Sequence, residues 1–414
     1  MRDGVASTNP GHANTGSGAA PAGRTRLRIL LYGQSLSGTG HFVRVWEIAR
    51  ALAARHEVHL VDGGRPVPRP RPAHPFALLP VPRICRIARR IVPVDPGADL
   101  DAVMKERLRA FRAALERIRP DVLVIEHFPF SKRGLREEIV PLIEHARAVR
   151  PGARVLASLR DIPPGSGDHP RAPSYREYVL ETLHACFDGV LVHTDPALAP
   201  LDEHIPWADE IEVPVACTGY VSEKLGDRAS PERGEVIVST GGVPLPALVP
   251  RCAEAWQRLR AVGATGGRRL VVFLPPFGPA EASAPPSDDA SIRFEPFTTD
   301  FLPRLAAADL SISQAGYNTC TNILETRTLS ILVPNAAMSD QGPRARRLAK
   351  RGLARFLPAA DLTAERLAAA IREALAGCRP AHDVDLQGAD RTRSLIEQWC
   401  IEPRPRITGG ICQP

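Results

Sequence analysis

Two glycine turns in this chain are each followed by residues able to do chemistry. The first, Gly33-Gln34-Ser35-Leu36-Ser37-Gly38-Thr39-Gly40-His41, ends on a histidine. Histidine changes charge nearest neutral pH and is the natural general base. The second, Ala315-Gly316-Tyr317-Asn318-Thr319, sets a glycine just ahead of amide and hydroxyl side chains. A glycine turn that opens a helix leaves backbone N–H groups unpaired, with the positive end of the helix dipole behind them. That is an anion site, suited above all to phosphate. A base on one turn and a phosphate cradle on the other suggest an enzyme working in a cleft between two domains. Carboxylates that could orient His41 are Glu126, Asp161 and Asp195, all at or just past predicted strand ends. Each also has a structural reading, Asp195 before Pro196 being a helix cap. His41 itself could instead cap its loop or bind a sugar or phosphate oxygen.

The elements that must hold these turns alternate strand and helix. Residues 27–32 (LRILLY) form the first strand, and 42–55 (FVRVWEIARALAAR) place Phe42, Val45, Trp46, Ala49 and Leu52 on one helical face. Further strands are expected at 57–61, 121–126, 153–158, 189–193 and 211–215, with a helix at 99–119 stopped by Pro120. A Pro/Arg-rich stretch occupies 65–96. The alternation restarts with strands at 235–239, 269–274, 291–295, 309–313 and 330–333. Helices are expected at 247–262, from about Asn318, at 359–376 and at 391–399. Strands joined by crossover helices imply parallel sheets with helices on both faces. The fold expected is α/β, two doubly wound Rossmann-like domains facing a cleft. Its boundaries are a disordered leader at 1–24, an N-terminal domain at 25–222, a linker at 223–234, a C-terminal domain at 235–400 and a loose tail at 401–414.

Composition narrows the function classes. Hydrophobic residues make up 44% and charged residues 24%, as in ordinary soluble domains, and no apolar run is long enough for a membrane span. A cytoplasmic protein is expected. Eight cysteines include no C-x-x-C pair, which argues for free thiols and against a zinc site. The net charge of +7 is carried almost wholly by arginine, while aromatics are only 5%, so no nucleic-acid partner is expected. Two D-x-D strings, at Asp99/Asp101 and Asp383/Asp385, follow no buried strand and read as surface charge; no metal is expected. Residues 81–92 (VPRICRIARRIV) place Ile84, Ile87 and Ile91 on one helical face and arginines on the other. That fits either a helix docked on the N-terminal domain or one making peripheral contact with a membrane.

The motif order resembles the GT-B class of glycosyltransferases, in particular a group of bacterial enzymes related to the lipid-intermediate N-acetylglucosaminyltransferase of peptidoglycan synthesis. The resemblance spans nearly the whole chain after about Arg26. It is carried by GTGH at 38–41, DGGRPVP at 62–68, IEHFPFSKRGLR at 125–136, SLRDI at 158–162, VHTDP at 192–196, TGYV at 218–221 and AGYNT at 315–319.

This resemblance implies an inverting, metal-independent transfer from a nucleotide-diphosphate sugar, a UDP-sugar in first place, with the donor as co-substrate and no cofactor. The donor would lie on the C-terminal domain. The base would sit at Phe297 and Thr298, and the diphosphate at Gly316, Asn318 and Thr319 against Thr240, Gly241 and Gly242. The sugar would meet Asp340 and Gln341. Arg344 or Arg346 could help the leaving group. An acceptor, a natural product or a lipid-linked sugar, would bind near Ser37, Gly38, Gly40, His127 and Phe128. Catalysis would fall to His41 with Glu126 or Asp195. One departure stands out: Asn322 occupies the place of the family's ribose-gripping glutamate. Arg327 and Leu329 replace its usual Gly and Pro. Two alternatives therefore stay open, a nucleotide-sugar epimerase on the same fold and a non-catalytic nucleotide-binding descendant.

Overall fold

The computed structural model describes residues 26–401, save 39, 70–71, 88–89, 164–171, 227–233, 276 and 278–288. The expected leader, nearly all of the tail and the middle of the expected linker lie outside the described residues.

The N-terminal sheet has seven parallel strands in the order β3-β2-β1-β6-β7-β8-β9. In chain order these are β1 (Arg28–Tyr32), β2 (Glu57–Asp62), β3 (Ala77–Pro80), β6 (Val122–Glu126), β7 (Arg154–Arg160), β8 (Gly189–His193) and β9 (Val215–Cys217). Between β3 and β6 comes an antiparallel pair, β4 (Ile84–Ile87) and β5 (Arg90–Pro93). The helices are α1 (Gly40–Ala53), α2 (Leu100–Ile118), α3 (Arg136–Val149) and α4 (Pro173–Cys186). The central strands are buried along their whole length, which is why they read as unbroken apolar runs. Helix α2 starts where Asp99 caps Ala102 N at 2.8 Å and stops at Arg119 in a left-handed conformation.

The C-terminal sheet has six parallel strands in the order β12-β11-β10-β13-β14-β15. They are β10 (Glu235–Ser239), β11 (Arg269–Phe273), β12 (Ile292–Glu295), β13 (Leu310–Ser313), β14 (Ser330–Leu332) and β15 (Arg355–Phe356). Its helices are α5 (Leu248–Ala261), α6 (Phe301–Ala307), α7 (Tyr317–Thr326), α8 (Gln341–Lys350) and α9 (Ala364–Leu375); α10 (Gly388–Ile401) closes the chain. Both sheets are doubly wound, so each has one point where strand order reverses, between β1 and β6 and between β10 and β13. Ligands settle outside the carboxyl ends of the strands at such points.

Three expectations change. Residues 81–92 hold the β4 and β5 strands rather than a helix, because Ile84 N and Arg86 N donate to Gly63 O and Leu36 O and so sew the segment onto the N-terminal loops. That removes the amphipathic helix on which membrane contact was to rest. Helix α10 packs on α1, with Ile396 inside the N-terminal core and Trp399 against Gly189, so the last helix leaves the domain that precedes it. Among the cysteines, Cys85, Cys252 and Cys320 are buried thiols but Cys217 is disulfide-bonded.

Candidate active site between the glycine loops

The two reversal points face each other across the domain junction. The loop after β1 leads into α1, whose second residue is His41, and Glu126 is the last residue of β6. His41 Nδ1 lies 3.0 Å from Glu126 Oε1. Glu126 is 1% exposed and also receives Lys132 Nζ at 2.7 Å and the Arg44 guanidinium. Arg44 comes three residues after His41 on α1, hence on the same helical face. Burial works against ionising Glu126, but the His41 hydrogen bond and the charges of Lys132 and Arg44 outweigh it and hold the carboxyl well below its ordinary range. Burial pushes His41 down to about 4, against the pull of Glu126. The ring is therefore neutral at pH 7, with Nδ1 held by the carboxylate and Nε2 left for a proton.

The structure separates the other carboxylates expected near His41. Asp195 accepts from Ala197 N at 2.9 Å and from Asp385 N at 3.0 Å, so it ties β8's loop to the segment before α10. Asp385 is thus part of the domain junction and not loose surface charge. Asp161 is fully buried and takes both arms of the Arg344 guanidinium, each at 2.7 Å. The expected acceptor contacts split as well. Ser37 and Gly38 line an open hollow, and Gly40 O accepts from Asn318 Nδ2 at 3.0 Å. His127 and Phe128 are fully buried. Phe128 packs against Phe187 in the core, while His127 lies under the site, edge-on to His41 and bonded to Arg44. A buried Phe128 cannot touch an acceptor.

On the opposite wall, Gly316 precedes α7, and Asn318 and Thr319 lie in its first turn. Gly316 has φ −64°, which any residue can adopt, and a Cβ there meets nothing closer than Thr319 Oγ1 at 3.8 Å. Its bareness leaves backbone open to a ligand and is not required by the turn. Gly241 differs: its φ of +64° needs glycine. A continuous cleft is lined by Gly241, Phe297, Thr298, Asn318, Thr319 and Asn322 from the C-terminal side. Phe42, Trp46, Glu47 and Arg69 close it from the N-terminal side, and Glu223 from the crossing segment. At the ends of β10 and β13 the buried hydroxyls of Thr240 and Ser313 find no hydrogen-bond partner among the described residues. Gly242 reaches the other glycine loop, its Cα standing 3.2 Å from where a Cβ on Gly38 would be. The two loops touch.

Asp340 and Gln341 lie elsewhere than in this cleft. Asp340 is 2% exposed, bound by Arg344 Nη1 at 2.8 Å and Arg160 at 3.3 Å, and these arginines outweigh burial to bring its carboxyl to about 2. Gln341 Oε1 accepts from Asn335 N at 2.9 Å. Asp161, Arg344, Asp340 and Arg160 thus form one buried ion network joining the two domains. Arg344 is committed there, and Arg346, which lies over the Phe356 ring, is not among the residues that line the cleft. Sequence reasoning missed Arg44, whose i+3 spacing from His41 was the available signal. It also missed Lys132, which is held in a left-handed conformation beyond β6 and gave no signal in its type or spacing.

His41, Glu126 and His127 offer donor atoms within 4.8 Å of one another, close enough for a metal ion. Arg44 and Lys132 already neutralise the one carboxylate, so the donor set is a poor fit for a cation.

Comparison with known proteins follows this division. Residues 278–388 match the glycosyltransferase family 28 C-terminal domain. A 120-residue stretch, 28% of this chain, is 42% identical to 30% of a UDP-N-acetylglucosamine--N-acetylmuramyl-(pentapeptide) pyrophosphoryl-undecaprenol N-acetylglucosamine transferase from Aromatoleum aromaticum. The matches span 22–30% of the length of the curated relatives. Among solved structures, Acinetobacter baumannii MurG is similar with TM-score 0.51 and 17% identity, over 89% of this chain and 99% of that one. A UDP-glucosyltransferase from Polygonum tinctorium gives TM-score 0.58 and 11% identity, over 91% and 94%. The chain therefore has the two-domain GT-B fold of glycosyltransferases and carries the family 28 signature in its C-terminal domain.

Proposed function

We propose that this protein is an inverting, metal-independent glycosyltransferase that moves a sugar from a nucleoside-diphosphate donor, a UDP-sugar, to an acceptor hydroxyl. The observation that carries the reading is the meeting of two unlike groups at the domain junction. His41, neutral and oriented by Glu126, heads α1; the open N-terminus of α7 faces it, the two tied by Asn318 to Gly40 O. The fold, the family 28 match and the partial likeness to UDP-N-acetylglucosamine transferases support the same reading.

In this reading His41 Nε2 takes the proton of the acceptor hydroxyl while its oxygen attacks the anomeric carbon. The bond from that carbon to the diphosphate breaks on the opposite face, so one displacement inverts the configuration. The electron pair leaves with the nucleoside diphosphate. Its charge is met by the α7 N-terminus, Gly241 backbone and the Thr319 hydroxyl. Glu126 stabilises the imidazolium formed, and Arg44 and Lys132 keep Glu126 ionised. The base would lie among Phe297, Thr298 and the aromatic wall, with Asn322 beside the ribose. A lipid-linked or small-molecule acceptor enters from the side of Ser37 and Gly38.

Thermal shift with UDP, GDP, dTDP, CDP, ADP and NAD tests the donor half. A selective rise with UDP is expected, and no rise with any nucleoside diphosphate overturns the assignment. A product with retained anomeric configuration would sink the inversion.

A further inference from the structure

Among the described residues no side chain caps helix α7: Gly316 stands at its N-cap, so the amides of the first turn stay open for a ligand. A turn with no cap of its own has to be held from elsewhere. Tyr317, the first residue of α7, is 3% exposed and lies in the domain junction. Its hydroxyl donates to His193 O at 3.1 Å, at the end of β8, and accepts from Val221 N at 2.9 Å, where the chain leaves the N-terminal domain. We propose that Tyr317 is the positioning residue of the diphosphate cradle: it bolts the first turn of α7 to the N-terminal domain. The proposal rests on the transferase reading for the diphosphate, and on these contacts alone for the bolt.

The residue type suits the task. A phenol carries a donor and an acceptor at the end of a rigid ring, so one side chain joins a carbonyl and an N–H from two different segments. Burial pushes the Tyr317 phenol up, so the proton it donates to His193 O stays in place at neutral pH. The ring also lies against two guanidinium groups, Arg44 at 5.1 Å from its centroid and Arg344 at 5.8 Å. Arg44 belongs to the His41 cluster through Glu126, and Arg344 is anchored by Asp161 of the N-terminal domain.

A second contact acts on the same turn. Arg344 Nη1 donates to Ala315 O at 2.8 Å, just ahead of Gly316. The glycine is thus gripped on both sides, by Arg344 at Ala315 and by Tyr317, and both grips lead back to the N-terminal domain. Asn318 Nδ2 on Gly40 O adds a third tie. None of the three uses a first-turn N–H, so the donors that face a phosphate remain unspent. A cradle fixed before its ligand arrives loses little conformational entropy on binding. Removing the Tyr317 hydroxyl therefore weakens the hold on phosphate and spares the contacts to the base at Phe297 and Thr298, which lie beyond β12.

The test is titration of full-length Tyr317→Phe with UDP and with uridine, which carries no phosphate. Phenylalanine keeps the ring against both arginines and removes only the hydroxyl. UDP is expected to bind about tenfold more weakly than to the unaltered protein, and uridine within about threefold of it. Full UDP stoichiometry by calorimetry shows that the loss is not an unfolded fraction. Hydrogen exchange at the Val221 amide reads the bolt directly, and it should be slow in the unaltered protein and faster in Tyr317→Phe. Equal losses for UDP and uridine, or unchanged UDP affinity in the folded variant, overturn the proposal. So does a Val221 amide that already exchanges freely in the unaltered protein, a result that needs no variant to fold. If the unaltered protein binds no UDP, the donor reading falls instead, and exchange at Val221 still decides whether Tyr317 joins α7 to the N-terminal domain.

Discussion

Helices α1 and α7 begin from the same ingredients, a parallel strand, a glycine turn and a helix N-terminus, and end as different sites. At α1 the charge is placed in side chains: His41, Glu126, Arg44 and Lys132 converge within hydrogen-bond reach, with the neutral ring of His127 beneath. At α7 the cleft surface is backbone, hydroxyl and amide, and the nearby charges, Arg344, Asp340, Asp161 and Arg160, are sunk into the domain junction where they bind one another. A proton must be moved by a titratable group, whereas a diphosphate can be held by fixed dipoles that need no titration. The molecule shows that the loop topology supplies a place and the side chains next to it decide the chemistry.

The largest effect is expected from removing the α1 chemistry. His41→Ala should cut turnover about 10²–10⁴-fold, the range for a lost general base, while UDP affinity by calorimetry stays unchanged. Turnover that survives would reduce α1 to a scaffold like α7 and erase the contrast. Next comes the buried network that underlies α7. Asp161→Asn strands the Arg344 guanidinium away from water with one carboxylate fewer, and breaking such a pair costs about 3–5 kcal/mol. Urea unfolding should show that loss, and Asp161→Asn/Arg344→Met should recover a good part of it. A loss under about 1 kcal/mol would mean the network is a surface-like ion pair and not the joint between domains.

A pH profile sharpens the comparison further. Burial holds His41 at about 4 and not near 6.5, so the acid limb of kcat/KM should fall near pH 4, with activity level through neutrality. The sign for stability follows from linkage. Between pH 6.5 and 4 the unfolded chain binds more protons at this residue than the native one, so its contribution is complete above 6.5 and shrinks as pH falls through that window. The backbone and hydroxyl donors of the α7 cradle do not titrate there, so a change in UDP binding over the same range would come from the terminal phosphate of UDP or the cleft carboxylates Glu47 and Glu223. An acid limb near 6.5 would show that His41 is open to water.

How much of this was legible depended on whether a signal was local. The strands came through because residues buried on both faces, such as 122–126 and 189–193, leave an apolar run that needs no partner to be recognised. The segment 81–92 did not, because Ile84, Ile87 and Ile91 fit helical spacing while the deciding hydrogen bonds go to Gly63 and Leu36, far away in sequence. In the site, His41 and Glu126 were legible from a loop tip and a strand end. Asp340 misled for a tertiary reason: nothing near it in sequence announces that Arg160, on the other domain, will claim it. Glu47 and Glu223 reach the donor cleft only through the closure of two domains, which no window of sequence contains.

The smallest expected effect is at Asn322, where α7 meets those carboxylates. From sequence alone, a glutamate at this position should strengthen UDP binding by bonding both ribose hydroxyls. In the folded cleft Asn322 shares its lining with Glu47 and Glu223, so a third carboxylate gains hydroxyl bonds and meets like-charge repulsion at once. Each contribution is of the order of 1 kcal/mol in a solvated cleft, and they oppose. Asn322→Glu is therefore expected to change UDP affinity less than about threefold, with the balance moving towards tighter binding in high salt, where the repulsion is screened. A tenfold gain would show that the two existing carboxylates lie clear of the ribose and that α7 alone reads the nucleotide. A tenfold loss would show that the donor cleft, like the α1 site, is governed by side-chain charge and that the division between the two helices is less sharp than their surfaces suggest.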